Sequence, residues 1–173
     1  MTPDCSCPPS YPHWHGQDVD LGGYRTHTLP IPTLMHMPLS YELYVQRQQH
    51  VLEQLHLKEI WPGLALTRTG FLRGSIIRLL EDAPSLSRHA GYFPRPFQVQ
   101  AHLHQGNVST IRQAVRNMQS RLLDAGCMPK ELYLCYLTCP RCADERGGDQ
   151  ILLLRHWVKS ELLEKKARRR AGA

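Results

Sequence analysis

Apolar positions are irregular before Ser40 and periodic after it. Residues 1–38 hold more than half of the thirteen prolines, interleaved with Gly16, Gly22 and Gly23. Proline fixes φ and removes a donor, so this stretch is predicted to be an arm with at most a short strand near Tyr24–Leu29. From Ser40 the period becomes helical: Tyr41, Tyr44, Val45, Val51, Leu52 and Leu55 share one stripe, with Ser40 as N-cap. Pro62-Gly63 ends this run. A short segment leads to Gly70, and a second helix is predicted over about Phe71–Asp82, with Leu72, Ile76, Leu79 and Leu80 on its apolar side. Val108, Ile111, Val115, Met118 and Leu122 mark a third helix, capped by Asn107 and closed by Gly126. A last helix is predicted over Val158–Arg170. Between these, Leu132–Leu137 and Ile151–Leu154 are short apolar runs around a turn with Gly147-Gly148, the pattern of a β-hairpin.

The expected fold is therefore α+β and mainly α-helical. It comprises a Pro-rich arm (1–38), a helical domain (39–158) with a helix-turn-helix-like pair and a small cysteine-containing β-hairpin, and a basic tail (159–173).

The hairpin carries the strongest chemical signal, Cys139-Pro140-Arg141-Cys142. This spacing puts two thiolates on one tetrahedral metal or in one redox pair. With Cys135 they are the candidate metal ligands, with zinc the expected cofactor. Cys5-x-Cys7 and His13-x-His15 in the arm could complete the site. A redox pair of the thioredoxin kind needs a helix right after its cysteines, and Ala143–Arg146 is too short before Gly147-Gly148. The alternatives to a structural knuckle are thus a thiol redox protein using Cys139/Cys142, or an interaction scaffold docking through the Pro- and His-rich arm.

Charge adds a second signal. The formal net charge is +6, and residues 159–173 carry six basic residues against two acidic, leaving only +2 for the rest. Such a run attracts phosphates through counterion release. Lys165, Lys166, Arg168, Arg169 and Arg170 are expected to contact a nucleic-acid backbone, as are Arg112 and Arg116, one turn apart on the third helix. On the predicted second helix, Arg73, Ser75 and Arg78 avoid the apolar side and would face a DNA groove. Basic and aromatic residues also interleave in the connector 84–98, where they would either stack on nucleic acid or tuck under the loop as a satellite of the core.

Several classes are excluded. No phosphate-cradle, dinucleotide, zinc-protease or nucleophile-elbow motif occurs, so an enzyme is disfavoured. No run approaches the roughly 20 apolar residues of a membrane span, and the first residues lack the order of a signal peptide, so an intracellular, cytoplasmic protein without a membrane partner is expected.

The order of these features resembles FlhC, the zinc-containing activator subunit of flagellar genes. The residues carrying the resemblance are Thr69-Gly70-Phe71-Leu72-Arg73-Gly74-Ser75-Ile76-Ile77-Arg78-Leu79-Leu80, Gly91-Tyr92-Phe93-Pro94 and Cys139–Cys142. That family's zinc site uses two cysteine pairs, so here Cys135, Cys127, or Cys5 and Cys7 would have to stand in. The resemblance implies a DNA-binding regulator working in an oligomer or with a partner subunit. The sequence thus points to a DNA-binding regulatory protein with a structural zinc knuckle.

Overall fold

The computed structural model describes residues 5–171. Among them the elements, in chain order, are β1 (Asp18–Asp20), β2 (Arg25–Leu34), β3 (Met37–Pro38), α1 (Tyr41–Gln54), β4 (Ala65–Thr69), β5 (Arg73–Leu80), β6 (Ala90–Tyr92), β7 (Gln98–Gln105), α2 (Arg112–Asp124), β8 (Cys127–Tyr136), β9 (Gln150–Lys159) and α3 (Glu161–Ala171). Strand accounts for 36% and helix for 24%, so the expectation of a mainly helical domain is overturned. The molecule is organised by one antiparallel sheet in the order β1-β7-β9-β8-β4-β5-β2-β3, with β6 on the outer side of β2.

The largest correction falls on residues 71–82. They form no helix and no helix-turn-helix partner; they turn at Phe71-Leu72 into β5, paired with β2 on one side and β4 on the other. Leu72, Ile76, Leu79 and Leu80 fit a helical stripe, but every residue from Gly74 to Leu80 is buried. A strand in the middle of a sheet covered on both faces reads as a continuous apolar run, which periodicity cannot tell from a buried helix.

The proline-rich arm hides a second departure. β2 is ten residues long and contains Pro30 and Pro32. The Thr33 N–H donates inward to Leu72, whereas the Thr28 N–H and the Pro32 carbonyl face outward, to His89 and Leu39. Alternation therefore turns the nitrogens of Pro30 and Pro32 away from β5, where no donor is required. The sequence before β2 is structured too: β1 pairs with β7, and Leu21 is fully buried.

Topologically the chain repeats itself. A strand, a helix and two strands (β2, α1, β4, β5) are followed by the same order (β7, α2, β8, β9), and in each half the last strand lies between the other two. The halves meet through β4 and β8, registered at only two pairs, Thr67 with Leu134 and Arg68 with Tyr133. Both helices cover one face of the sheet. Val45 of α1 packs on Ile31, Ala65 and Ile76, and Met118 of α2 packs on Leu134, Ile151 and Leu153. The other face, with Leu66, Ile77, Leu79, Val99, Tyr133, Cys135, Leu152 and Leu154, is closed by the N-terminal segment and by Phe93 and Phe97. These two rings stack at 4.3 Å inside the core, so the 84–98 connector is a core satellite.

The helix read from Val108 to Leu122 is present as a 3-10 turn, Val108–Thr110, running into α2; the Asn107 side chain accepts from Ser109 N–H, and Gly126 follows with φ +76°. α1 lies where its stripe placed it, but Ser40 is left-handed and caps nothing with its side chain.

Candidate metal centre and ligand groove

The Cys139–Cys142 knuckle leaves the end of β8 as a tight turn, the Cys139 carbonyl accepting from Cys142 and Ala143 N–H. Its partners come from the other end of the chain. The sulfurs of Cys5, Cys7, Cys139 and Cys142 all lie within 4.8 Å of one another. Cys5 Sγ is 3.5 Å and Cys142 Sγ 3.8 Å from Cys139 Sγ. Four sulfurs around a zinc at ~2.3 Å stand ~3.8 Å apart, so the group has the dimensions of a tetrahedral thiolate site. Cys135 is not part of it. It is fully buried on β8 on the opposite sheet face, and desolvation alone pushes its thiol well up.

Electrostatics within the group follow from crowding. Burial and the neighbouring thiols push Cys7 upward. Burial also raises Cys139, but N–H groups of Cys142 and Arg141 and the thiols of Cys5 and Cys7 outweigh it and bring that thiol down to about 7. One thiolate is thus favoured at the expense of its neighbours, and full ionisation of all four needs a cation among them. The arm is held by more than sulfur: Arg146 Nη1 donates to the carbonyls of Pro8 (2.9 Å) and Leu137 (3.1 Å). Gly63, at φ +78°, lies where a Cβ would meet Pro8 at 3.1 Å. The second cysteine pair was legible as C-x-C, but nothing local said that residues 5–7 return to residue 139.

Two cavities that share Met37 line up beside this centre along β4 and β8 as one groove. One end, about 280 Å³, is lined by Tyr41, Val45, Ala65, Tyr136 and the knuckle. The other end is wider, about 630 Å³, and has Val108, Ile111, Leu132 and Leu134 together with Arg68, Arg73, Lys130 and Arg155. Tyr41 and Tyr136 meet edge to face at 5.2 Å, and the Tyr41 hydroxyl is 2.9 Å from Thr67 Oγ1. Desolvation pushes the Tyr41 phenol up, so it stays neutral.

The residues assigned to nucleic acid are scattered. Arg73 is exposed at the start of β5 and Ser75 is buried. Arg78 cannot reach a DNA groove: it is 1% exposed under α1, Nη1 donating to Glu59 Oε1 (3.0 Å) and Nε to Gln48 Oε1 (3.2 Å). Arg112 and Arg116 are exposed on α2, and Lys165, Lys166, Arg168, Arg169 and Arg170 are exposed on α3. Arg168 pairs with Glu164 at 3.8 Å. The two helical sets are exposed, but the three residues meant to read bases do not form one surface. Among the described residues no helix is long and apolar enough to cross a membrane.

No family model matches the chain, and no curated protein matches it. Two solved structures are similar. The crystal structure of the EcmrR C-terminal domain aligns with a TM-score of 0.63 at 12% identity, covering 83% of this chain and 96% of that one. EcmrR in the cryo-EM structure of its DNA complex in EcmrR-RPo aligns with a TM-score of 0.58 at 11% identity, over 83% of this chain. This chain spans 56% of that longer protein. At such identities the likeness is one of fold: the chain has the architecture of the C-terminal domain of EcmrR. The segment 69–80, which carries the resemblance to FlhC, lies here in the β4–β5 hairpin.

Proposed function

We propose that this chain is the ligand-binding module of a transcriptional regulator, with a small molecule in the groove along β4 and β8 and zinc on Cys5, Cys7, Cys139 and Cys142. The observation carrying the reading is the groove itself. It is concave, lies at the junction of two topologically equal halves, and combines an apolar floor with a few polar groups, the usual composition of a small-molecule site. The fold supports it, since the similar solved domain belongs to EcmrR, a protein whose structure in complex with DNA is also similar. The four sulfurs support zinc, the soft, redox-inert cation that a compact thiolate group suits. Where such a metal sits it supplies folding free energy, and it would fasten the N-terminal segment to the wall of the groove.

In this reading DNA is not read from β5. EcmrR is the protein whose DNA complex is known, and here nucleic acid is contacted through a partner subunit or through phosphate contacts of α2 and α3. The test is titration of the chain with Nile red, a neutral apolar dye. Saturable binding of one dye per chain is expected, and Ile111→Trp, which places an indole at the groove wall, abolishes it. Absence of saturable binding to the folded chain overturns the reading.

A further inference from the structure

The wide end of the groove has an unusual wall. β4 and β8 are registered only as far as Arg68 and Tyr133, so beyond that pair the strands are no longer joined. β8 is also irregular there, its pairing with β9 shifting between Pro129 and Leu132. This gap is lined by Arg68 of β4, Arg73 of β5, Lys130 of β8 and Arg155 of β9. Among the described residues none of these four is in an ion pair. Glu131 is the acidic residue of the lining; His156 Nδ1 engages it at 3.0 Å, and the charge of Arg68 acts on it from farther away. Arg155 donates Nη1 to the Lys130 carbonyl at 2.8 Å, while its buried Nε–H has no partner. Like charges gathered around one cavity from four strands repel one another, and a ligand carrying the opposite charge relieves them. The same cavity is lined by the apolar residues Val108, Ile111, Leu132 and Leu134.

We infer that the wide end of the groove binds a small amphipathic anion, its carboxylate, sulfate or phosphate head among Arg68, Arg73, Lys130 and Arg155 and its apolar body against Val108, Ile111 and Leu134. This deepens the ligand-binding reading above, on which it rests, by fixing the charge class of the ligand. Guanidinium groups suit such a head because their donors form a planar fork matching two oxygens at once. The cations come from four strands of both halves, so bound anion also ties the β4–β5 hairpin to β8.

The test uses four probes with straight nine- or ten-carbon tails, decanoate, decyl sulfate, decyltrimethylammonium and decanol, the three ionic ones below their critical micelle concentrations and decanol below its solubility limit. Calorimetric titration is expected to show saturable binding of the two anions, weakening as salt rises because Arg68, Arg73 and Lys130 are exposed. The cationic probe should not compete with them. The Arg68→Gln/Arg73→Gln variant should lose at least about tenfold in anion affinity, the loss expected when charge-assisted hydrogen bonds are removed. Its thermal midpoint and circular dichroism show whether it is folded, and both side chains are exposed. Equal or tighter binding of decyltrimethylammonium or decanol, or unchanged anion affinity in the folded variant, overturns the inference. If Nile red saturates the wild-type chain but decanoate does not bind, this inference falls alone; if neither binds, the groove reading falls with it.

Discussion

Arg78 and Arg73 differ by five positions and by nearly everything else. Arg78 points under α1, and its guanidinium is shared by Glu59 and by Gln48, whose amide in turn donates to the carbonyls of His27 and Ile76. Desolvation pushes the Glu59 carboxyl up, and the guanidinium beside it works against that shift. Removing one partner of a buried, hydrogen-bonded ion pair strands the other charge, which typically costs about 3–5 kcal/mol. Arg78→Ala is therefore expected to lower stability by that order, read from the urea midpoint. Arg73→Ala, at an exposed position, should stay within about 0.5 kcal/mol. Similar midpoints for the two variants would show that the Glu59–Arg78 pair contributes nothing to the fold. As a sequence, R-G-S-I-I-R offers no hint of this difference, because burial of an arginine is decided by what α1 and residue 59 bring to it.

At the scale of elements, the arm and the knuckle are one unit although they lie at opposite ends of the chain. Cys5 and Cys7 are ordered against Cys139 and Cys142, and Arg146 and Gly63 give the arm its remaining contacts. β1 and Leu21, by contrast, are held by the sheet and its core independently of sulfur. Cys139→Ser and Cys5→Ser should each abolish a stoichiometric zinc, measured by elemental analysis of the purified chain. Limited proteolysis should then cut ahead of β1 while the sheet persists, because metal supplies folding free energy only where its ligands are. Retention of one zinc by either variant would show that the metal, if bound, is held elsewhere. Replacing Cys135 should leave the metal in place and cost stability instead, since its side chain fills core space on the other face.

At the scale of the whole molecule, acid is expected to act through the buried His27 and the half-buried His102. His27 is 1% exposed, and burial holds its imidazole below the ordinary 6.5, with the positive charge of His89 and Arg78 acting the same way. His102 is lowered in the same sense, by burial and by His15 and His104. In the unfolded chain these groups take up protons as pH falls through about 6.5, while the native state resists until lower pH. Stability is therefore retained above that value and lost below it. In the metal-free Cys139→Ser chain, where metal release does not contribute, the thermal midpoint should fall between about pH 7.5 and about pH 5.5. The fall should be smaller in a further His27→Gln variant. An equal fall would assign the acid sensitivity to other groups.

What the sequence by itself determined is what depends on near neighbours. The stripe of α1, the Asn107 cap, the glycine after α2, the β8–β9 hairpin and the C-x-x-C turn all rest on interactions spanning a few residues, and all are present. Tertiary structure decided the rest. Whether 73–80 becomes helix or strand depends on β2 and β4 lying on either side of it, and a run buried on both faces carries no period to reveal them. Which thiols join Cys139 and Cys142 depends on the path of residues 5–16 across the sheet, not on any spacing within the knuckle. The groove lies where two similar halves meet through only two registered pairs. Each of these is a long-range pairing whose partners are remote in sequence, where local propensity has no means of choosing among them.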